Sequence, residues 1–241
     1  MQEQASEKTV VPINQNARTF ISTLIALGGI FMIHAAVTWR GQPLLLTAFL
    51  VVAALASTLK VRVPGIPGTF SANCLVTVLA IAQMTVADVV FVGVVCALVQ
   101  SKWHAKQRPA AVQMAFNAAV FVISGTAGGW TYAALQIFAP GLPGVASLVI
   151  AACVFFTVNT GSVSVVMALI EGLSPLQAWR TWHVWSLPYY LVNIAAAVLI
   201  MSVTPTSVIV VVAMILPLIL LPFAGYHWFM RRVAPAIAQA S

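Results

Sequence analysis

The sequence has few charged residues, and acidic ones are the scarcest. Of its 241 residues only 6% are charged, four of them acidic, whereas 61% are hydrophobic. A soluble domain carries roughly a quarter charged residues, because the surface that it turns to water must be polar. The chain lacks the charge that such a surface needs. We therefore predict an integral membrane protein whose main solvent is the lipid bilayer.

Signals for catalysis, metal binding and disulfide formation are also absent from the sequence. Its three cysteines, Cys74, Cys96 and Cys153, lie inside apolar runs without a CxxC spacing, which is typical of small packing residues. No nucleophile–base pair, glycine-rich phosphate loop or HExxH motif occurs. The net charge of +7 comes from basic residues scattered between apolar runs, unlike a nucleic-acid footprint. We therefore expect that the protein is not an enzyme and that it has no cofactor, no metal site and no nucleic-acid partner.

Apolar runs separated by charges, prolines and glycines predict an all-α bundle of eight transmembrane helices. The predicted spans are 19–39, 43–59, 69–84, 86–101, 110–138, 144–170, 187–203 and 207–229. The third follows a segment rich in proline and glycine, and its sixteen residues cover only about 24 Å. We expect it to be a short helix or to start with a re-entrant stretch, in which case the two termini would lie on opposite sides.

The positions of the basic residues predict the orientation of the bundle. With the amino terminus inside, the cytoplasmic loops receive ten of the eleven basic residues and the outer loops receive only Arg40. The inner ten are Lys8, Arg18, Lys60, Arg62, Lys102, Lys106, Arg108, Arg180, Arg231 and Arg232. Both termini are therefore predicted in the cytoplasm, as polar tails at 1–18 and 231–241 flanking one membrane domain at 19–230.

A short tryptophan-rich segment at 174–185 is predicted to be a helix in the cytoplasmic membrane interface. Ser174 and Pro175 are residue types that favour the N-cap and the first turn of a helix. Trp179, Trp182 and Trp185 recur every third residue and would share one side of it, at the depth that tryptophan prefers. With Arg180, these three tryptophans form a candidate surface for a protein partner.

Two helical hairpins show a weak internal similarity. The end of span four reads VVCALVQ at 94–100, and the end of span six reads VVMALIE at 165–171. Each is followed by a basic turn with tryptophan, then a proline, then an asparagine in the next span. Either the pairs 4–5 and 6–7 are a parallel repeat, or helices rich in alanine and valine match by chance.

Amide side chains inside the apolar runs form the candidate ligand site. An unpaired polar group in hydrocarbon is costly, so these side chains should face other helices or a cavity. The runs contain His34, Asn73, Gln83, Gln100, Gln113, Asn117, Asn159 and Asn193, and no acidic residue at mid-membrane depth. Asn73, Gln113, Asn117, Asn159 and Asn193 are the candidate ligand residues. The alternative is that each makes an interhelical hydrogen bond that holds the bundle together.

Three stretches resemble the amino-terminal membrane regions of bacterial cyclic-di-nucleotide signalling proteins that carry GGDEF or HD-GYP domains. They are PGTFSAN at 67–73, KQRP at 106–109 with QMAFN at 113–117, and NTGSVSVVMALIEG at 159–172 continuing through WR at 179–180 to WSLPYYL at 185–191. The resemblance implies a membrane sensory module of the bacterial inner membrane with an unknown ligand. It departs from the family pattern after Arg232, where no output domain follows.

Three functions remain open from the sequence. The first is a sensory or ligand-binding module that acts through a cytoplasmic protein partner. The second is a small-solute transporter or the substrate-binding membrane component of a multi-subunit importer. The third is a structural subunit of a membrane complex. The lack of a mid-membrane carboxylate counts against a proton- or sodium-coupled pump, because coupling usually needs a carboxylate that binds and releases a cation.

Overall fold

Helices account for nearly all regular structure in the computed structural model. It describes residues 14–61, 70–103, 105, 108–183 and 186–203, with isolated positions at 210, 213, 217, 220, 223 and 224. The helices are α1 Gln15–Thr38, α2 Pro43–Thr58, α3 Asn73–Gln83, α4 Val86–Lys102, α5 Ala111–Phe138, α6 Gly144–Glu171, α7 Pro175–Trp182 and α8 Leu187–Val203. Two short strands, β1 Lys60–Val61 and β2 Phe70–Ser71, pair antiparallel between α2 and α3.

The first seven predicted spans each coincide with one of these helices, but the helices differ in their ability to cross a membrane. Among the described residues, α1, α5 and α6 are long and apolar enough to cross, with 24, 28 and 28 residues. At 1.5 Å per residue they cover about 36 to 42 Å, against about 30 Å of hydrocarbon. Fewer than eight spans are therefore supported. The eighth predicted span and both predicted tails lie almost entirely outside the described residues.

Apolar side chains cover the outside of these helices. On α1, Ile30, Ile33 and Val37 are all more than 60% exposed and recur at helical spacing. An exposed apolar stripe of this kind is unfavourable in water and favourable against lipid. The exposed stripe and the three long apolar helices together indicate a membrane protein.

Contacts between helix ends show which of these ends lie together. Asn14, before α1, donates a hydrogen bond to the Leu169 carbonyl near the end of α6. Lys60, after α2, donates to the Trp103 carbonyl after α4. These ends form the basic end of the bundle, where five of the six described Lys and Arg residues lie: Arg18, Lys60, Lys102, Arg108 and Arg180.

The far end of the bundle is defined by a contact between the α1–α2 connection and the start of α4. Trp39 Nε1 donates to Asp88 Oδ1 at 2.7 Å. Asp88 is buried and also closes a capping box with Thr85, so it fixes the first turn of α4. Arg40, the remaining described basic residue, lies beside this contact.

The shortest helix, α3, is the most buried element. Every residue from 73 to 81 is buried, within a core cluster to which α2, α4, α6 and α8 also contribute. Its eleven residues rise only about 16 Å, too little to cross a bilayer alone. Its start follows β2, which pairs with β1 after α2, and its end leads into the Thr85 cap of α4. Thus α3 runs from the basic end toward the far end and is surrounded by other helices. A segment that does not span the bilayer by itself is tolerated at membrane depth where it is buried in protein.

Small residues on α5 allow the neighbouring helices to approach closely. A Cβ added at Gly128 would lie 2.9 Å from Ile81 of α3 and 3.2 Å from the Ala151 carbonyl of α6. Gly125 contacts Val89 of α4 in the same way. Gly28 on α1 meets Ala119 of α5, where an added Cβ would be only 2.7 Å from the Ala119 Cα. These glycines serve helix packing, as expected for small residues in membrane helices.

The interfacial helix predicted at 174–185 is α7, which ends three residues earlier than predicted. Ser174 is its N-cap, Gln177 completes a capping box, and Pro175 occupies the first turn. Gly172, with φ of 70°, ends α6 in the left-handed conformation that separates the two helices. Its position beside the end of α6 places α7 at the basic end of the bundle.

Candidate functional site

A cavity of about 310 Å³ lies between α4, α5 and α6 in the half of the bundle nearer the basic end. This volume is at the lower end of the range of roughly 300 to 1,000 Å³ for small-molecule pockets. Its lining residues are Ala97, Gln100, Ser101, Gln113, Asn117, Val120, Phe121, Asn159 and Val163. Five of the nine are amides or hydroxyls, and none carries an ionisable group.

Helical spacing brings these residues to one side of each helix. On α5, Gln113, Asn117 and Phe121 recur every four residues, so they lie above one another on one face. Gln113 is exposed, Asn117 is half-buried, and Asn159 on α6 is only 9% exposed. The cavity therefore runs from an accessible mouth at the start of α5 to a buried inner wall at Asn159.

Hydrogen bonds to neighbouring helices orient two of the amides, Asn117 and Asn159. Asn117 Nδ2 donates to Ser101 Oγ at 3.0 Å across the α4–α5 contact. Asn159 Nδ2 donates to Ser124 Oγ at 3.4 Å across the α5–α6 contact. Within the described part of the chain, the Oδ1 atoms of Asn117 and Asn159 accept no hydrogen bond. Both oxygens remain available to a guest in the cavity.

Gln100 is oriented from behind by a residue that does not line the cavity. Asn73, at the first position of α3, donates from Nδ2 to Gln100 Oε1 at 2.6 Å. The carbonyl oxygen of Gln100 is thereby engaged, and its Nε2 group is left as the donor that can face the cavity. Asn73 thus positions a cavity residue.

The five predicted ligand residues separate into three groups. Gln113, Asn117 and Asn159 line one cavity, and Asn73 stands behind it through Gln100. Asn193 is elsewhere: its Nδ2 donates to the Tyr189 carbonyl of its own helix at 2.7 Å. The five predicted residues therefore do not all line one cavity. The described hydrogen bond of Asn193 lies within its own helix, and Asn193 does not line the cavity.

Sequence reasoning missed Gln100 and Ser101 as site residues. Gln100 stands out in the sequence as a polar residue in an apolar run, but both lie close to the charged turn after α4, where polar residues are ordinary. Their spacing was the usable signal, because Gln100 and Ser101 lie about one helical turn after Ala97. They belong to the helix that precedes the one carrying Gln113 and Asn117.

Close helix packing closes the cavity on the side toward the far end of the bundle. One turn beyond Phe121 and Ser124, Gly125 contacts Val89, and Gly128 lies against Ala151. Phe121 itself packs edge-to-face on Phe155 at a ring-centroid distance of 6.2 Å. The three helices are thus in direct contact on the far side of the cavity.

Of the described basic residues near the mouth, Lys60 has its ammonium group engaged by a backbone carbonyl. Lys60, outside the membrane-spanning helices, donates from Nζ to the Trp103 carbonyl, two residues after Ser101. Partial burial lowers the pKa of Lys60 below its ordinary value. The site is therefore suited to an uncharged polar molecule, because an ionised guest would lack a paired countercharge there.

The predicted partner surface on α7 is only partly available. Trp179 is half-buried, donates from Nε1 to Thr160 Oγ1 at 3.0 Å, and packs edge-to-face on Phe156. It therefore anchors α7 to α6, whereas Arg180 is exposed. The backbone of Trp182 ends α7, and Trp185 lies outside the described residues. A partner that contacts this helix remains a prediction.

A smaller cavity of about 60 Å³ lies near the far end between α1, α4 and α5. It is lined in part by His34 and by Thr126, whose buried Oγ1 has no hydrogen-bond partner in the described structure. A space of this size holds a few water molecules, which would satisfy that hydroxyl. His34 itself is exposed.

Comparisons with known proteins identify no relative of this chain. No protein-family model, no curated protein and no solved structure matches it.

Proposed function

We propose that this chain is a membrane-embedded binding module for a small, uncharged polar molecule that enters from the cytoplasmic side. In this proposal the basic end faces the cytoplasm, and the chain crosses the membrane at the eight spans predicted from the sequence, with both termini inside. The contacts between helix ends and the position of five described basic residues at one end support this orientation.

One observation carries the binding function. Asn159 is nine-tenths buried, lines the cavity between α4, α5 and α6, and leaves its Oδ1 unpaired toward it within the described structure. Within the described structure no protein group donates to this oxygen, so water or a guest in the cavity has to supply the donor. A guest with an N–H or O–H group can therefore take the place of water at this position.

A sensory role through a protein partner is our preferred use of this binding site. It rests on the resemblance of residues 67–73, 106–117 and 159–191 to membrane sensor regions, and on the exposed side of α7 at the same end as the cavity mouth. A transporter would need a second state that opens the cavity toward the far end. The close contacts at Gly125 and Gly128 favour a binding module over an open path.

Cysteine modification tests where the cavity opens and what it admits. In a Cys153→Ala background, which removes the exposed native thiol and leaves Cys74 and Cys96 buried, Gln113→Cys and Asn159→Cys are treated with maleimides. N-ethylmaleimide is small and uncharged, and a sulfonated maleimide is its charged counterpart. Membrane vesicles of both orientations separate the two sides of the bilayer.

We expect Gln113→Cys to react with both reagents from the cytoplasmic side, and Asn159→Cys to react with N-ethylmaleimide only. Arg40→Cys is the control and should react with the sulfonated reagent from the opposite side. Failure of Asn159→Cys to react with N-ethylmaleimide, or reaction of Gln113→Cys with the sulfonated reagent only from the opposite side, would overturn the proposal.

A further inference from the structure

The start of α3 has no cap from the residue that precedes it. Ala72 is at the N-cap position, and its side chain has no group that could accept a hydrogen bond from the first turn. The residues before it, β2 Phe70–Ser71, pair with β1, with Lys60 opposite Ser71. Because α3 is buried, the N–H groups of its first turn need partners from elsewhere in the protein.

A tyrosine of α8 supplies a hydrogen-bonding group at this position. The Tyr189 hydroxyl donates to the Ser71 carbonyl, and it also has a hydrogen bond with the backbone of Cys74, the second residue of α3. Tyr189 thus bridges the segment that enters α3 and the first turn of the helix, as a capping side chain does. Ala72 and Asn73 lie between these two contacts in the sequence.

Asn73 connects the start of α3 to the cavity. Its Nδ2 donates to Oε1 of Gln100 at 2.6 Å, and Gln100 lines the cavity. The asparagine side chain is short, so the position of its backbone determines whether it reaches Gln100. A displacement of the α3 start by about 1 Å away from α4 would lengthen this distance to about 3.6 Å, which is too long for a hydrogen bond.

Tyr189 also lies close to the end of α7 in the sequence. Ser186, between α7 and α8, donates from its backbone N–H and from its hydroxyl to the His183 carbonyl, at 2.9 and 2.7 Å. His183 is the C-cap of α7, and Tyr189 belongs to the first turn of α8. The end of α7 is therefore hydrogen-bonded to the segment from which Tyr189 reaches α3.

We infer that Tyr189 is a positioning residue of the cavity, which acts on the Gln100 side chain through the start of α3 and Asn73. A partner that bound α7 and displaced the junction of α7 and α8 would change the cavity wall by this route. The inference rests on the proposed function, because it names how that site is regulated. The series of hydrogen bonds can nevertheless be tested without a ligand.

The side-chain amide signals of glutamine in NMR spectra report on Gln100 directly, because a hydrogen bond to an amide oxygen changes the chemical shift of its N–H groups. The sample is the purified full chain in detergent micelles with isotope-labelled glutamine, and Gln100→Ala and Gln113→Ala assign the two cavity signals by their loss. Asn73→Ala gives the reference shift of a released Gln100. We expect Tyr189→Phe to shift the Gln100 signal in the same direction and to leave the Gln113 signal in place.

Tyr190→Phe is the matched control. It also removes a tyrosine hydroxyl from the first turn of α8, and within the described part of the chain that hydroxyl makes no hydrogen bond. Both glutamine signals should stay in place in this variant. A nuclear Overhauser effect between the Tyr189 ring and the Cys74 amide in the wild type tests the contact itself, whether or not Tyr189→Phe folds.

Three results would overturn the inference: an unchanged Gln100 signal in Tyr189→Phe, equal shifts of the Gln100 and Gln113 signals, and absence of the Overhauser effect. Equal shifts would indicate a general loosening of the fold. The maleimide experiment is independent of these measurements. Its failure would remove the binding function and leave the positioning of Gln100 by Tyr189 standing.

Discussion

Asn73 Nδ2 and Gln100 Oε1 form a 2.6 Å hydrogen bond that joins the start of α3 to the wall of the cavity. Asn73 is buried and Gln100 half-buried, so this bond links the central helix of the core to a residue that a guest can reach. Ser71, two residues before Asn73, accepts a hydrogen bond from the Tyr189 hydroxyl of α8. The cavity wall, α3 and α8 thus meet at one point.

A double-mutant cycle at this pair should measure a favourable coupling. We expect Asn73→Ala and Gln100→Ala to show a coupling energy of about 1 kcal/mol, in the range of interhelical polar pairs in membranes. The measurement is reversible unfolding in mixed detergent micelles for the wild type, both single variants and the double variant. Additive effects of the two substitutions would show that the bond contributes nothing to stability.

Asp88 should be important for the stability of the far end. Its carboxylate accepts from Trp39 Nε1 and from the hydroxyl and amide of Thr85, and it lies at the positive end of the α4 helix dipole. Asp88→Asn should lower the free energy of unfolding by about 1.5 to 3 kcal/mol, since hydrogen bonds to a charged acceptor are lost. Trp39→Phe removes one donor and should cost less in the same unfolding assay. A larger loss for Trp39→Phe would contradict this assignment.

Two glycines should respond in opposite ways to the same substitution. Gly128→Ala places a methyl group 2.9 Å from Ile81 and should cost about 1 to 3 kcal/mol, as overpacking usually does. Gly161→Ala, on α6, meets nothing within 4 Å in the described structure and should stabilise the helix by up to about 1 kcal/mol. The pair also controls for helix propensity, because both exchanges gain it. Equal effects on the unfolding midpoint would argue against close packing at Gly128.

The stability of the protein should depend on pH through His183. This residue caps the end of α7 outside the spanning helices, and its Nδ1 is 2.9 Å from Ser164 Oγ. Partial burial lowers the pKa of His183 below its ordinary value of 6.5. The unfolded chain therefore binds the proton more tightly, so stability falls as pH drops below about 6.5 and levels off below the folded-state pKa.

Unfolding midpoints at about pH 5 and about pH 7.5 check this prediction, since they bracket the range in which histidine titrates. His183→Gln should reduce the difference between the two midpoints. An unchanged difference in His183→Gln would assign the pH dependence to another group.

The helices were predictable because apolar runs and their interruptions are local features. The predicted boundaries of spans 43–59, 86–101, 110–138, 144–170 and 187–203 differ from the helices by at most one residue at either end. The third span was less accurate: the helix proper begins at Asn73, because the residues before it pair as β2 with β1. Pairing between two segments that are not adjacent in the sequence cannot be predicted from the hydropathy of either one.

The candidate site was predictable only in part. Burial of an amide in an apolar run follows from the sequence, and Gln113, Asn117 and Asn159 do converge. Asn193 does not, because an asparagine in a helix can satisfy its donor on the carbonyl four residues earlier, and composition cannot distinguish that case. Trp179 likewise contacts α6 and does not face a partner, because its indole N–H donates to the buried Thr160 hydroxyl.

The close contacts of Gly125 and Gly128 beyond the cavity also determine from which side of the membrane a molecule can reach it. A guest that enters at Gln113 and stops at Asn159 exchanges with one aqueous compartment only, so its occupancy follows the concentration in that compartment. Under the proposed function, binding would neither use nor need a concentration gradient across the bilayer. In the proposed orientation, occupancy would follow the cytoplasmic pool of the ligand, and changes outside the cell would register only after that pool had changed.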